Sequence, residues 1–331
     1  MIRPFATALL LALTAGTALA ADEVVVYSER KEPLIQPLFA QYEKLTGTKV
    51  TYLNDAAPVL IERLAAEGAN TRADLFMAVD AGSLWQAAER GVLAKVDSEV
   101  LSANVPANLR DPGGQWYGLS QRARTIVHST ERVQPSQLST YAALAGPEWK
   151  GRLCLRSAKK VYNQSLVATM IARDGEQKTE QVVRGWVANL AAPPFADDTL
   201  LAQAIAAGQC DVGIINTYYL ARLRKDDAKF PVAAFWPDQD ASGVHVNISG
   251  AGVTKHAKHR DAAVKLLEWL SSEAAQAQFA GANFEYPVHA KVAPDPLIAA
   301  WGEFKADPVN VVEAGRRQAE AVKLMDRAGY Q

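Results

Sequence analysis

Residues 210–223 read CDVGIINTYYLARL and predict a buried strand that is followed at once by a helix. The apolar run 212–215 is typical of a short buried strand, and this pattern ends at Asn216. Leu220 and the basic residues near it indicate the first turns of a helix. Corners of this kind lie at the carboxyl edge of an α/β sheet, where ligands bind. The segment therefore places the pair Tyr218–Tyr219 at a candidate ligand-binding edge.

Two adjacent phenols at such a corner have two interpretations. They can be core aromatics that pack at the start of a helix, which is the usual role of neighbouring tyrosines. They can also be oxygen ligands for a hard trivalent cation, because a strongly charged metal displaces the proton of a phenol whose pKa is normally about 10. The ionised oxygen suits Fe(III) better than a thiolate does, but this interpretation needs further ligands elsewhere in the chain.

Composition limits the classes of protein that this chain can belong to. The chain has 331 residues, of which 49% are hydrophobic and 21% are charged, and its formal net charge is −1. This is enough apolar material for one large core or two medium cores. Without a basic surplus, we expect no binding to nucleic acid or to an anionic membrane surface.

The N-terminal segment has the pattern of an export signal. Residues 1–20 read MIRPFATALLLALTAGTALA, with one early positive charge, an apolar centre and a small-residue ending. This pattern predicts a signal peptide over residues 1–21 that is cleaved near Ala20/Ala21. No later apolar run is long enough to cross a bilayer. We therefore expect an exported, soluble protein without direct membrane insertion.

The segment that follows alternates between strand and helix patterns. The β-α-β repeat predicts a mostly parallel sheet with helices on both faces. The predicted strands are residues 23–27, 49–53 and 73–79, and the predicted helices are residues 33–45, 58–66 and 83–90.

Two long extended segments, residues 115–129 and 244–254, flank a second β/α block. Within this block the pattern predicts strands at 151–156 and 211–216 and helices from about 162, at 177–190 and at 198–207. A further amphipathic helix is predicted at 259–271. The arrangement suggests a hinge, at which the chain crosses from one lobe to the other and returns. A single domain with one core is the simpler alternative.

The two cysteines are spaced equally from two tyrosines. Cys154 lies eight residues before Tyr162, and Cys210 lies eight residues before Tyr218. If the two strands are neighbours in one sheet, a Cys154–Cys210 disulfide would hold both tyrosine-bearing corners in register, and export permits such a bond. Two unrelated buried thiols are the alternative. With Tyr219, the corners would supply three phenolates, which neutralise Fe(III) and leave positions open for an anion or water.

Arginines near these corners are candidates for holding that anion in planar, bidentate fashion. Arg30 follows the first predicted strand, whereas Arg122 and Arg124 alternate along the predicted hinge strand and so share a face. A surface salt bridge is the usual alternative for any single arginine.

Several stretches together resemble one known family. They are VVVYSERKEPLIQPLFAQYEKLTG, ADLFMAVDAG, WYGLSQRARTIVH, RLCLRSAKKVYNQSLVATMI, CDVGIINTYYLARL, HVNISGAGVTKHAK and FEYPV. The chain resembles the periplasmic ferric-iron-binding proteins of ABC iron importers over nearly the whole mature chain.

This resemblance implies an α/β, two-lobed periplasmic binding protein fold of type II. Each lobe would be a mixed sheet flanked by helices, and hinge strands would join the lobes. We expect the N-lobe to comprise residues 22–121 and 246–290, and the C-lobe to comprise residues 122–245 and 291–331.

The resemblance also implies a ligand set. Tyr162, Tyr218 and Tyr219 match the family's tyrosine ligands. Several members carry His-Tyr directly after the arginine of the first loop, where this chain has Lys31 and Glu32. The chain is therefore similar to the subgroup that binds iron through three tyrosines.

In that subgroup a carbonate-like anion, here held by Arg30 and Arg122, completes the iron coordination. Direct ligation by Glu32 is a second-ranked alternative. The histidines match no ligand motif of the family; they are His128, His245, His256, His259 and His289. The resemblance implies a monomer that captures Fe(III) between its lobes and delivers it to an inner-membrane permease and its ATPase.

Two other classes of protein compete with this interpretation. The Ser157-Ala-Lys-Lys160 segment fits the S-x-x-K pattern of penicillin-recognising serine enzymes, but that pattern needs its serine at a helix start and a later K-T-G strand, which the chain lacks. We therefore expect no catalysis. The same fold binding an organic or inorganic anion, or a polyamine, is the closer alternative.

Overall fold

The computed structural model describes residues 23–331, and the expected signal peptide lies outside these residues. The strands are β1 (Glu23–Ser28), β2 (Lys49–Asn54), β3 (Leu75–Ala78), β4 (Tyr117–Ser129), β5 (Leu153–Cys154), β6 (Val212–Asn216), β7 (Val232–Phe235) and β8 (Val246–Val253). The first helices are α1 (Glu32–Thr46), α2 (Ala57–Glu67), α3 (Ala81–Glu89), α4 (Glu99–Asn104), α5 (Val161–Asp174), α6 (Glu176–Ala188) and α7 (Asp198–Ala206). The remaining helices are α8 (Thr217–Asp226), α9 (Arg260–Ser271), α10 (Glu273–Gly281), α11 (Pro296–Ala299), α12 (Glu313–Arg316) and α13 (Gln318–Arg327).

One hydrophobic core surrounds strands β1, β2, β3 and β8, with α1, α2, α3, α9 and α10 packed on them. The β-branched run in β1 favours an extended strand that is covered on both faces. Helix α1 ends at Gly47, whose φ of +74° is the left-handed conformation that glycine adopts without strain. β1 pairs in parallel with β2 and β3, which confirms the β-α-β pattern of this part of the chain.

Two further clusters form the cores of the second part of the molecule. The larger packs α5, α6 and α13 against β4 and β6, and it contains Trp149 and Trp186. The smaller packs α7 against Cys154, Cys210 and Ile215. The C-terminal segment contacts two of the cores, because residues 311–314 pack in the core around β1 whereas residues 321–330 pack beside α5.

Strand β4 connects the two parts of the sheet, whose order in the described residues is β2-β1-β3-β8-β4-β6-β5, with β7 also paired to β4. Residues 117–123 of β4 pair with β8, whereas residues 124–129 pair with β6 and β7. The sheet is mixed rather than mostly parallel. β8 runs antiparallel to β3, since the chain enters it on its return from the second part.

The two corner-bearing strands are parallel neighbours, as the cysteine spacing required, with Cys154 opposite Gly213. A Cys154–Cys210 disulfide is present. The strand predicted at 151–156 is shorter than expected: only Leu153–Cys154 pairs with β6, and Arg156 makes an isolated bridge to Phe195 instead. Over residues 23–331, the longest apolar helices fall short of what a membrane span requires.

Candidate functional site

A cavity of about 210 Å³ lies where residues of the two parts of the molecule face each other. Its lining comes from the end of β1, from β4 and from the starts of α5 and α8. The lining residues are Glu29, Arg30, Lys31, Leu34, Val79, Arg122, Lys160, Tyr162, Tyr218, Tyr219, Arg222, Asn283 and Glu285.

The tyrosine cluster, defined here as Tyr162, Tyr218 and Tyr219, lies at one side of this cavity. Tyr162 is the second residue of α5, and the other two follow β6 in the first turn of α8. β5 and β6 are parallel neighbours, so the helices that follow them start at the same edge of the sheet. The structure thus brings together three tyrosines, of which the first and the last are 57 positions apart in sequence.

The phenols of the tyrosine cluster are close together and mostly buried. Tyr162 is 8% exposed and Tyr218 is 5% exposed. Tyr162 and Tyr218 are close enough for each to influence the pKa of the other, and the ring centres of Tyr218 and Tyr219 are 4.5 Å apart. Burial raises the pKa of Tyr162 to about 12, although Arg122 opposes the shift, and burial also raises the pKa of Tyr218 well above its ordinary value. Without a cation these two phenols therefore keep their protons at neutral pH.

Several positive side chains surround the three rings. The Nη1 of Arg156 donates to the hydroxyl of Tyr219 at 3.3 Å, and its guanidinium lies 5.5 Å from the Tyr162 ring centre. The Nζ of Lys160 lies 4.9 Å from the same ring centre. Arg222 stands 5.2 Å from the ring centre of Tyr218. These charges favour the ionised form of the phenols and thus the binding of a highly charged cation that displaces their protons.

Arg122 presents unused donors at the cavity. Its Nη2 donates to the carbonyl of Val79 at 2.6 Å and lies 3.6 Å from a carboxylate oxygen of Asp80. Its Nε and Nη1 are buried and have no hydrogen-bond partner within residues 23–331. Buried unpaired donors are unfavourable, so this guanidinium is suited to an anion.

Arg30 also lines the cavity, but most of the nitrogens of its guanidinium already have hydrogen-bond partners. It donates to the carboxylate of Glu285 at 2.8 Å, to the hydroxyl of Ser249 and to the carbonyl of Phe279. Only its Nε lacks a partner among the residues that the structure describes. Of the two predicted anion-binding arginines, Arg122 is therefore the more available.

Other predicted site residues lie elsewhere. Glu32 is exposed at the start of α1, outside the cavity lining, and its carboxylate lies near Tyr52, where it adds to the effect of burial in raising the pKa of that phenol. Arg124 is not among the residues that line the cavity, and its guanidinium binds Asp198. No histidine is among the residues that line the cavity.

The lining also contains residues that the sequence did not single out. Arg222 lies four residues after Tyr218 and three after Tyr219, and this spacing places it on the same helix face, which could have identified it. It donates to the side-chain oxygen of Asn283 on the opposite side of the cavity. Asn283 lies in a loop after α10 and had no sequence signal. Together Arg222 and Asn283 close one side of the cavity.

The serine-enzyme pattern is not supported by its local structure. The hydroxyl of Ser157 accepts a hydrogen bond from the backbone amide of Lys159, and α5 begins only at Val161. Ser157 therefore precedes the helix instead of starting it, as the pattern requires.

Comparison with known proteins defines the class of this chain. Residues 70–304 match the family described as bacterial extracellular solute-binding protein. The chain belongs to this family, whose members bind solutes, and the expected two-lobed fold of type II is confirmed by its structural neighbours.

Within this class the chain is similar to proteins of iron uptake. Iron uptake protein A1 of Synechocystis sp. is 42% identical over 315 residues, which are 93% of this chain and 88% of that protein. The Fe(3+)-binding periplasmic protein of Serratia marcescens is 26% identical over 328 residues, 98% of this chain and 95% of that one. A Trichodesmium structure in complex with iron and citrate ligands has a TM-score of 0.90 at 44% identity, covering 93% of this chain and all of that chain. The resemblance to ferric-iron-binding proteins is confirmed.

Proposed function

We propose that this chain is the substrate-binding protein of an ABC iron importer, which captures Fe(III) on Tyr162, Tyr218 and Tyr219 and delivers it to an inner-membrane permease with its ATPase. The observation that carries the proposal is the convergence of three mostly buried phenols from two strand-to-helix corners on one cavity. The similarity to iron-uptake proteins supports the choice of cargo.

The donor chemistry supports Fe(III) specifically. Three phenolates provide three negative charges and hard oxygen donors, which suit a trivalent cation. They do not complete a six-coordinate site, so further positions remain for an anion or water. The cavity lining holds no thiolate or histidine that would favour a softer metal.

We also propose that a carbonate-like anion binds beside the iron. The free Nε and Nη1 of Arg122 support this assignment, and the Nε of Arg30 offers one more donor. Lys160 and Arg222 add positive charge at the same cavity. Ligation by Glu32 stays the second choice, because Glu32 is exposed and lies outside the cavity lining.

The remaining parts of the proposal concern the whole chain. We propose export through cleavage of residues 1–21 and a monomeric protein. The N-lobe would comprise residues 22–121 and 246–290, and the C-lobe residues 122–245 and 291–331. Strand β4 and the return into β8 would then form the hinge.

Visible absorption spectroscopy tests this function directly. Purified protein should develop a phenolate-to-iron charge-transfer band on addition of Fe(III) and bicarbonate, and excess citrate should remove the band. Tyr219→Phe should weaken the band, since it removes one phenolate. Tyr27→Phe is the matched control, because Tyr27 is also buried and its hydroxyl donates to the carboxylate of Glu67, outside the cavity lining.

A different result would change the assignment. If no band appears at any iron loading, the iron site is wrong. The cationic cavity would then favour the alternative of an organic or inorganic anion over a polyamine.

A further inference from the structure

Arg124 is buried directly behind the tyrosine cluster, and all of its donor capacity is used. Its Nε donates to the side-chain oxygen of Asn163 at 2.9 Å. Its Nη1 donates to Asp198 at 3.0 Å and to the side-chain oxygen of Asn216 at 3.1 Å. Its Nη2 donates to Asp198 at 3.4 Å and to the carbonyl of Ile214 at 3.1 Å. These five bonds match the five N–H donors of a guanidinium.

Asp198 is the fully buried anion of this network and lies at the start of α7. Besides Arg124, its carboxylate accepts from the backbone amide of Asn216 at 3.1 Å. It also lies 3.6 Å from the Nη1 of Arg156. One carboxylate thus contacts the end of β6 and two buried guanidinium groups.

Three side-chain neighbours of this ion pair, Asn163, Asn216 and Arg156, each lead to one tyrosine of the cluster. Asn163 follows Tyr162 directly, and its amide nitrogen donates to the carbonyls of Arg156 and Ser157, which fixes the turn before α5. The amide nitrogen of Asn216 donates to the hydroxyl of Tyr218 at 3.1 Å. The third connection runs through Arg156, whose Nη1 donates to the hydroxyl of Tyr219.

We propose that the buried Arg124–Asp198 pair positions all three phenols of the tyrosine cluster for their cargo. Through Asn163, Asn216 and Arg156, the pair sets where each hydroxyl points before the cation arrives. This inference rests on the proposed function, because it assigns Arg124 and Asp198 as positioning residues of the same site.

Physical reasons favour positioning over simple stabilisation. A buried ion pair often contributes no more to stability than apolar residues of similar volume, because both charges lose their hydration. Outer partners that orient the ligands of a metal, by contrast, typically change metal affinity by about 10–100-fold when they are mutated. Ligands held in place before binding also lose less freedom when the metal is captured.

The test compares two buried aspartates of similar environment. Asp198→Asn keeps the shape of the side chain but weakens its hold on Arg124 and Arg156. Asp307→Asn is the matched control, since Asp307 is also buried and paired with an arginine, Arg173, at 2.8 Å but lies outside the cavity lining. Asn216→Ala is a second variant, which removes the donor to the Tyr218 hydroxyl without removing a charge.

Three quantities are measured for each protein: Fe(III) affinity by competition with citrate, the wavelength of the charge-transfer band, and the urea midpoint of the iron-free form. We expect Asp198→Asn and Asn216→Ala to lower the affinity by about 10–100-fold and to shift the band, as expected for displaced ligands. Asp307→Asn should lower the urea midpoint while the affinity and the band stay unchanged.

The outcomes separate this inference from the function on which it rests. If wild type shows no band, the proposed function fails and the inference fails with it. If wild type binds iron and both site variants keep its affinity and band, only the inference is overturned. If Asp198→Asn does not fold, Asn216→Ala alone decides. The inference would also be overturned if Asp307→Asn lost as much Fe(III) affinity as the site variants. That result would show that lower stability alone reduces iron affinity.

Discussion

At the scale of single residues, Arg122 shows how an unpaired buried group indicates a ligand. The hydrogen bond to Val79 uses one of its nitrogens, and the other two lack partners in the described structure. Its neighbour Asp80 has a carboxylate oxygen 3.6 Å from the Nη2 of Arg122, which is too far for a hydrogen bond, so this carboxylate leaves the two free nitrogens unpaired. An incoming anion would satisfy these free donors.

The prediction at this scale concerns the anion. Arg122→Ala should lower Fe(III) affinity in bicarbonate by about 10–100-fold, because hydrogen bonds to charged groups contribute about 1.5–3 kcal/mol. The variant should also lose the increase in affinity that bicarbonate gives to wild type. Citrate competition with and without bicarbonate measures both effects.

Arg110→Ala is a suitable control, since the guanidinium of Arg110 donates to the backbone carbonyls of Ser102 and Val105 and lies outside the cavity lining. An Arg122→Ala protein that keeps its full response to bicarbonate would place the anion elsewhere.

Residue types and spacing predicted the tyrosine cluster but not the partners of its neighbours. The alternation of Arg122 and Arg124 predicted that they share a face of the strand, yet their guanidinium groups have different partners. The pairing of Asp198 with Arg124 could not be predicted from the sequence, because an aspartate at a helix start is usually the N-cap. Here Asp197 is the N-cap of α7. Such partnerships depend on which side chains meet in the folded molecule, and Asp198 meets Arg124 across 74 positions of sequence.

At the scale of elements, the site depends on two strand-to-helix corners held side by side. Sequence predicted both corners, because an apolar run followed by a helix pattern is a local signal. It overestimated β5, whose residues beyond Cys154 bridge to the loop before α7 rather than to β6. With only two residues of β5 in the sheet, the register of the corners relies on the disulfide as well as on backbone pairing.

The prediction at this scale is therefore about the disulfide. Replacing both Cys154 and Cys210 by serine should lower the free energy of unfolding by about 2–5 kcal/mol, because the loop of the unfolded chain is no longer closed. Urea denaturation measures the loss as a lower midpoint. Reduced wild type should match the variant. A midpoint equal to that of oxidised wild type would show that backbone pairing alone holds the corners.

At the scale of the whole molecule, the two parts meet across the cavity through a few polar contacts. The hydroxyl of Ser165 in α5 lies 3.2 Å from both carboxylate oxygens of Asp80, which caps α3. Arg222 and Asn283 meet at the other side of the cavity. Since β4 continues through both parts, a rotation about its middle would break these contacts and open the cavity. Sequence predicted the crossing strands but gave no information on these contacts.

The last prediction combines this architecture with proton exchange. Burial raises the pKa values of Tyr162 and Tyr218, so these phenols are protonated in the iron-free protein and, as the proposed ligands, would release protons when iron binds. Protons therefore compete with Fe(III), and affinity falls as pH falls, by on the order of 1,000-fold per pH unit if all three phenols ionise. Acid should release iron before the fold is lost.

Parallel titrations of one sample test this order, with the charge-transfer absorbance reporting iron and far-ultraviolet circular dichroism reporting the fold. The iron-free protein, titrated in the same way, gives the pH at which the fold is lost without iron. We expect this pH to be lower than the pH of iron release, because acid unfolding requires protonation of carboxylates. Two separate transitions would show that the proton acts on the ligands. If the absorbance persists until the dichroism collapses, release requires global unfolding, and the phenols are not the groups through which pH controls the cargo.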